Sequence, residues 1–434
     1  MKVCKYLLTC ICFLSVLLLP LTAGAQQMIH SWSQNFGDAS VQYGRTVAID
    51  DSDNIVLAGA FISQVNFGGA TLSSWPGYFN IYIAKFDAAG THLWSRGFGD
   101  EAYNRYINAV ATDDAGNIIV VGQFGGYLSF DGNVLGSWDT VDMFIAKFDA
   151  AGNHLWSNKY GLMDNQYAVD VAVDSEGNVY LLGQFENTVD FGGGTFTSAG
   201  GNDVCIAKFD AGGSHLWSQY FGDISDQHAE GIAVDGSDNV TITGYFDGSI
   251  NFGGGALNGA GSWDIFVASF DATGAFRWSD RFGDSSTQRA FDIAADASGN
   301  VILTGDFLGP VDFGGGLLAN AGGMDGYVAK FDDTGFHLWS QRFGDSQGQV
   351  GYAVVTYGSD NIAVTGAFGG TADFGNGLIV SLGGWDIFVA QFDPMGGSLW
   401  SRGFGSSDDD VGRDVAVDTR GNVVLTGEIE GSVD

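Results

Sequence analysis

The chain is poor in the residues that cross-link, kink or basify a protein. It has four cysteines, four prolines, six histidines and 17 Lys+Arg against 51 Asp+Glu. Cys4, Cys10 and Cys12 crowd into the first twelve residues and leave Cys205 alone. An intramolecular disulfide therefore has no partners beyond the N-terminal segment, and stability rests on apolar burial. So few prolines exclude a Pro-rich linker. The missing basic charge excludes nucleic acid and anionic membrane surfaces as partners, because both recruit basic patches. Apart from the N-terminus, no stretch approaches the roughly 20 apolar residues that span a bilayer.

What is abundant points one way. There are 68 glycines and 33 phenylalanines, and only 16% of the chain is charged. Disordered chains carry few aromatics, whereas glycine with aromatics and no helical periodicity describes strands and turns. The N-terminus stands apart. Lys2 and Lys5 precede an apolar run from Tyr6 to Leu21, and Ala23-Gly24-Ala25 has the small-x-small form of a cleavage site. Residues 1–25 read as a secretory signal peptide. Residues 26–434 then form one repeat domain, secreted or held at the cell surface or in the periplasm, with no membrane span after cleavage.

The repeat is marked by Trp-Ser at Trp32, Trp94, Trp156, Trp217, Trp278, Trp339 and Trp400, at intervals of 62, 62, 61, 61, 61 and 61 residues. So constant a period is the signature of a stacked or radial array. Each unit holds four strand-like segments, here A to D. In one copy they are AVDVAVD (168–174), VYLLGQF (179–185), DVCIAKFD (203–210) and HLWSQYFG (215–222). The A–B turn reads Asp-Ser-Glu-Gly-Asn (174–178), Asp-Ala-Ser-Gly-Asn (296–300) and Asp-Thr-Arg-Gly-Asn (418–422), and its Asn recurs at Asn54, Asn117, Asn178, Asn239, Asn300, Asn361 and Asn422. Asp bonds nearby backbone, and Gly and Asn accept positive φ. The C–D turn is Asp-x-x-Gly. In DIFVASFD (264–271) both faces are apolar, so the sheet is covered on both sides. Four-stranded antiparallel sheets packed face to face around an axis make a β-propeller.

The VAVD-x-x-GNVYLLG-type hairpin, the DFGGG loop and the D-x-F-x-AKFD-x-x-G-x-x-LW segment resemble the SBBP-type bacterial β-propeller repeat proteins over the whole of residues 26–434. That resemblance implies a secreted or surface propeller and supplies no catalytic residues. Ala84, Gly90 and Trp94 are also spaced as in the tryptophan-docking motif of quinoprotein dehydrogenases, which implies a Trp docked between neighbouring sheets and no quinone.

Strand counting gives seven A, seven B, six C and seven D, the first D being HSWSQNFG (30–37). The expectation is an all-β, seven-bladed propeller of four-stranded antiparallel sheets, with the last blade incomplete at the C-terminus. In that reading the N-terminal D strand completes the seventh sheet, and its strand C lies beyond Asp434 in a longer gene product.

Alternating strand directions put the tight turns on one face and the B–C and D–A loops on the other, which is the face with room for a ligand. Trp75, Trp138, Trp263 and Trp385 fall outside the docking series, late in B–C loops. They are the candidate ligand-binding residues, since aromatic platforms stack on sugars and on partner side chains. His30, His92, His154, His215 and His337 each stand two residues before the repeat Trp, and repetition around a ring is structural; His228 reads as a loop residue. Asp408-Asp409-Asp410 and Asp50-Asp51-Ser52-Asp53 are the acidic clusters that would suit Ca²⁺, although neither has an EF-hand spacing. They read first as turn formers, so no cofactor is assigned. No catalytic residue is assigned either: 51 acidic residues prevent the choice of a glycosidase pair, and no G-x-S-x-G marks a nucleophile. The functional expectation is an exported binding or scaffolding module for a glycan or protein. The alternative is a polysaccharide hydrolase or lyase on the same face, or a targeting domain of a larger enzyme.

Overall fold

The computed structural model describes residues 9–18, 28–99 and 103–430, with side chains from His30 onward apart from Trp138 and Asp139. Six blades follow one another, at 42–98, 105–160, 166–221, 227–282, 288–343 and 349–404. In each, consecutive strands A, B, C and D pair antiparallel in sequence order. Blade 3 is representative, with strands Gln166–Val173, Val179–Phe185, Asp203–Phe209 and His215–Phe221.

The expected seventh blade is not formed from the repeat, and the expectation of seven is corrected to six. The remaining hairpin, Val411–Val417 with Val423–Glu430, has no C strand of its own among the described residues. Thr9–Leu18 lies beside Val423–Glu430 instead, and Met28–Phe36 lies outside it, in a closing sheet assembled from both ends of the described chain. The physical reason is edge satisfaction. Val423–Glu430 would otherwise present a row of unpaired backbone groups, and the apolar segment read as an export signal supplies eight paired residues along it.

The turns hold as their chemistry requires. Asp174 Oδ1 accepts the N–H of Glu176 at 3.1 Å and of Asn178 at 2.8 Å, and Asp210 does the same for Gly212 and Ser214. The B–C segments, expected as open loops, are small hairpins. In blade 3, Thr188–Asp190 pairs with Thr195–Thr197. The phenylalanine that follows drives inward: Phe67, Phe191, Phe252, Phe313 and Phe374 are each 1–2% exposed. Each meets the last aromatic of the preceding D strand, as in Phe221–Phe252 at 4.8 Å and Phe343–Phe374 at 4.7 Å.

Two further devices recur from blade to blade. The repeat Trp donates to a carbonyl in the next C–D turn: Trp94 to Ala150 (3.2 Å), Trp156 to Ala211 (3.1 Å), Trp217 to Ala272 (3.2 Å), Trp278 to Asp333 (2.9 Å) and Trp339 to Pro394 (3.1 Å). The glycine of that turn has φ near +80°, and a Cβ on it would press into the indole, as at Gly335 against Trp278. Alongside, a buried C-strand lysine pairs with the A–B turn Asp of its own blade: Lys85–Asp50, Lys147–Asp113, Lys208–Asp174 and Lys330–Asp296, at 2.7–2.9 Å.

Candidate functional site

Strand A is innermost in every blade, and its register alternates between constant and variable positions. The first position is Gln42, Gln166, Gln227, Gln288 and Gln349, with Arg105 in blade 2; all six are fully buried. The second position reads Tyr43, Tyr106, Tyr167, His228, Arg289, Val350, and the fourth reads Arg45, Asn108, Val169, Glu230, Phe291, Tyr352. The strand B residue paired with that second position varies in step: Ala60, Gln123, Gln184, Tyr245, Asp306, Ala367. The fourth-position side chains are all half-buried. Carboxylates on non-adjacent sheets also act on one another: Asp170 in blade 3 feels Asp414 in the closing sheet, and Asp292 in blade 5 feels both. Those side chains therefore meet at the axis. The variable positions line the axial channel at the end that opens onto the B–C/D–A face.

Contacts run around this channel mouth as an arc. His228, Tyr245 and Trp263 form an aromatic cluster with centroids 4.9–5.2 Å apart, His228 and Tyr245 being stacked. Arg289 grips Asp306 with two bonds, at 3.0 and 2.6 Å, and lies over Phe291 at 4.9 Å. Phe291 touches Tyr352 at 5.6 Å, and Arg413 lies over Tyr352 at 5.3 Å while bonding Glu428 at 3.1 and 3.3 Å. Arg45 sits 5.6 Å from the Tyr43 ring, and Tyr43, Phe79 and Tyr106 continue the wall with 5.3 Å between successive rings.

The electrostatics follow from enclosure. Water reaches Glu230, but protein surrounds it. Burial pushes its carboxyl up to about 8 against the opposing hydrogen bond from Tyr245 and the charge of Arg289, which favours its protonated form. Burial likewise lifts Asp170 to about 7 and Asp414 to about 6.

The tryptophans expected to form a platform are dispersed. Trp263 is part of the channel-mouth cluster. Trp385 occupies the same repeat position in blade 6 and lines a separate cleft of about 520 Å³ with Gln347, Gly348, Ser381 and Asp409. Trp75 is 50% exposed on blade 1. Trp138 lies on strand Asn133–Phe148, its side chain outside the described residues. His228, read as a loop residue, belongs to strand Gln227–Val234. The repeated histidines are structural: His92, His154, His215 and His337 each bond the Ser three residues on, at 3.0–3.1 Å.

The acidic clusters serve the backbone. Asp50 bonds Ser52 and Asn54, Asp409 accepts the Trp385 N–H, and Asp410 accepts those of Ser406 and Glu430. Among the described residues no three His, Cys, Asp or Glu side chains converge as metal ligands. Reading for motifs missed the axial residues because they form none. Their signal was divergence: columns that vary while the residues on either side repeat.

No family model matches the chain. By sequence it is similar to an uncharacterized WD repeat-containing protein of Acanthamoeba polyphaga mimivirus, 22% identical over 91% of this chain. It is also similar to the regulatory protein FlaEY of Caulobacter vibrioides, 25% identical over 82% of this chain. The chain spans 36% and 39% of those proteins' lengths. Among solved structures, Sqt1 from Chaetomium thermophilum aligns over 92% of this chain and 98% of its own, at 10% identity and TM-score 0.45. A gluconolactonase from Xanthomonas campestris aligns over 75% and 91%, at 12% identity and TM-score 0.35. The chain is a β-propeller repeat protein.

Proposed function

We propose that this propeller, of SBBP type, is an exported binding or scaffolding module that takes a glycan or protein ligand at the axial mouth of its long-loop face. The observation that carries this reading is the concentration of non-repeating residues there. Packing around a ring asks for the same side chains in every copy. Selection for a single ligand asks for different ones, and the divergent columns converge on one place. The wall of His228, Tyr245 and Trp263 supplies the stacking surface such a ligand needs, with Trp385 extending the face. Similarity to a WD repeat-containing protein agrees with a scaffolding role, and Lys2, Lys5 and Ala23-Gly24-Ala25 agree with export.

The test is affinity. The purified full-length chain is screened against an oligosaccharide array and against envelope proteins, and hits are titrated by calorimetry. Trp263→Ala with Trp385→Ala is expected to weaken binding at least tenfold; unchanged affinity sinks the reading. Mass spectrometry of the exported protein is expected to place its first residue at Gln26.

Glu230 favours a second reading, a polysaccharide hydrolase or lyase at the same mouth, since a carboxyl whose protonated form is favoured beside Tyr245 suits a general acid. Release of reducing ends from a polysaccharide panel, lost in Glu230→Gln, would establish it.

A further inference from the structure

Arg45 is anomalous in this chain. Acidic residues outnumber basic ones 51 to 17, and most other described Lys and Arg side chains hold a carboxylate. Lys85, Lys147, Lys208 and Lys330 pair with turn aspartates; Lys159, Arg281 and Arg342 pair with C-strand aspartates; Arg289 and Arg413 pair with Asp306 and Glu428 on the neighbouring strand of their own sheets. Arg45 holds none, and its Nε is buried with no hydrogen-bond partner. Its neighbours make this harder to sustain. Arg413 stands beside it with the same charge, and Glu428 is already bonded through both oxygens to Arg413. Burial, then Arg413, pull the Arg45 guanidinium below its ordinary value. A cation left in this state costs folding free energy, because a buried donor without an acceptor forfeits its hydration.

The surroundings say what would satisfy it. Arg45 lies on the channel wall two residues inward from Tyr43. Tyr43, Phe79 and Tyr106 form a run of aromatic faces beside it, 5.3 Å from ring to ring. Arg413 is paired with Glu428, and Asp414, which reaches Val47 two residues along, spends its oxygens on the N–H groups of Val47 and Val415, so Arg45 is left with no carboxylate bonded to it. The acidic surface does not cancel its charge: at physiological salt, charges beyond about 8 Å are largely screened, so an anion in the channel responds chiefly to the nearby groups. A guanidinium offers parallel N–H groups in a fixed fork that matches a carboxylate, and an aromatic ring receives the C–H face of a sugar ring.

We infer that Arg45 is the anion-recognition residue of the axial mouth, and that the ligand it fits is an acidic saccharide whose uronate carboxylate bonds Arg45 while its ring stacks along Tyr43, Phe79 and Tyr106. This deepens the axial-mouth reading and rests on it.

Calorimetry on the purified full-length chain tests it with trigalacturonate, triglucuronate, neutral galactotriose and triglutamate as probes. At least one uronate trimer is expected to bind, at least tenfold tighter than galactotriose or triglutamate. Arg45→Gln is expected to lower that affinity at least tenfold, and Arg45→Lys to recover part of it. The Tm of Arg45→Gln is expected to equal or exceed that of the parent, since the substitution removes an unpaired buried cation; a residue needed only for folding would lower it. Three results overturn the inference. One is no heat with either uronate. Another is tighter binding of triglutamate, which would make the ligand an acidic peptide. The third is uronate affinity that survives Arg45→Gln. If that surviving affinity is lost in Trp263→Ala, the axial mouth stands and the role of Arg45 falls. If it survives both substitutions, both readings fall.

Discussion

Asp203 heads strand C of blade 3 and is fully buried. Four other blades carry the same Asp, and three of them neutralise it from strand D: Lys159 on Asp142 at 2.6 Å, Arg281 on Asp264 at 2.8 Å and Arg342 on Asp325 at 3.0 Å. In blade 3 the cation's place is taken by Tyr220. Asp203 Oδ2 accepts the Ala199 N–H, but its Oδ1 has no partner. Burial lifts its carboxyl to about 6, with the Asp223 charge adding to the effect. A carboxyl raised in the folded state favours the protonated fold, so its stabilising form is complete below the unfolded value of about 3.9 and is lost as pH rises through 6. Blade 1 shows an alternative, since Asn80 occupies this position and donates to the Gly99 carbonyl. Asp203→Asn is therefore expected to raise stability by roughly 1–2 kcal/mol at pH 8 and to change it little at pH 4.5. Chemical denaturation at the two pH values checks this; equal effects at both would show that charge is not the cause.

Within an element, the lysine of strand C and the aspartate of the A–B turn act as one part. Lys330 and Asp296 are at most 2% exposed and 2.8 Å apart, and Lys330 also donates to the Pro394 carbonyl of the next blade. Lys330→Met leaves a buried carboxylate uncompensated and is expected to cost about 3–5 kcal/mol. Blade 6 indicates how the pair can be replaced together, with Tyr357 and Gln391 in the two places and Gln391 accepting from Trp400 at 2.7 Å. Asp296→Asn with Lys330→Gln is expected to recover more than half of the loss in urea denaturation; no recovery would mean that the contact to Pro394 dominates. Beside the pair, Trp278→Ala removes the bond to Asp333 and the indole against Gly335, at an expected cost of about 3 kcal/mol.

These elements are also where the sequence spoke clearly. The strand VYLLGQF and the Asp-x-x-Gly-Asn turns lie where they were expected because period-two apolarity and turn chemistry are local. His228 was misplaced because a histidine between Asp-Gln and Ala-Glu carries no strand signal of its own; its partner across the sheet, Tyr245, supplies it. The pairing of Thr9–Leu18 with Val423–Glu430 was hidden for the same reason at longer range. Nothing local in either segment names the other. Of the platform tryptophans whose side chains are described, only Trp263 is in the axial cluster, because that cluster is set by which side chains cross the axis and not by which residues repeat.

At the scale of the whole molecule, ring and channel share their carboxylates. Asp170, Asp292 and Asp414 each reach sideways and accept a backbone N–H from the next sheet, those of Ile232, Val354 and Val47, at 2.9, 2.7 and 2.8 Å. The last of these closes the ring, helped by Thr419 on Asp53 at 2.9 Å. The same three aspartates face one another across the axis, and all are raised: Asp170 to about 7, Asp414 to about 6, and Asp292 well above the carboxylate range by burial and then by Asp170. Glu230, at about 8, adds to them. Between about pH 4 and 8 the folded ring thus holds more protons than the unfolded chain, and stability falls as pH rises. The turn aspartates act oppositely. Asp50, Asp113, Asp174 and Asp296 are lowered although burial opposes it, because their lysines and the turn asparagines outweigh it. Their contribution is lost only below about pH 4. The Tm is therefore expected to peak near pH 5 and to decline steadily to pH 8.5. Asp292→Asn keeps an acceptor for one of the two backbone N–H groups and removes a carboxyl that ionises against both Asp170 and Asp414, so it is expected to flatten that decline. A Tm that stays level or rises from pH 5.5 to 8.5, or a decline as steep in Asp292→Asn as in the parent, would mean that the axial carboxylates are hydrated well enough to ionise without strain on the ring.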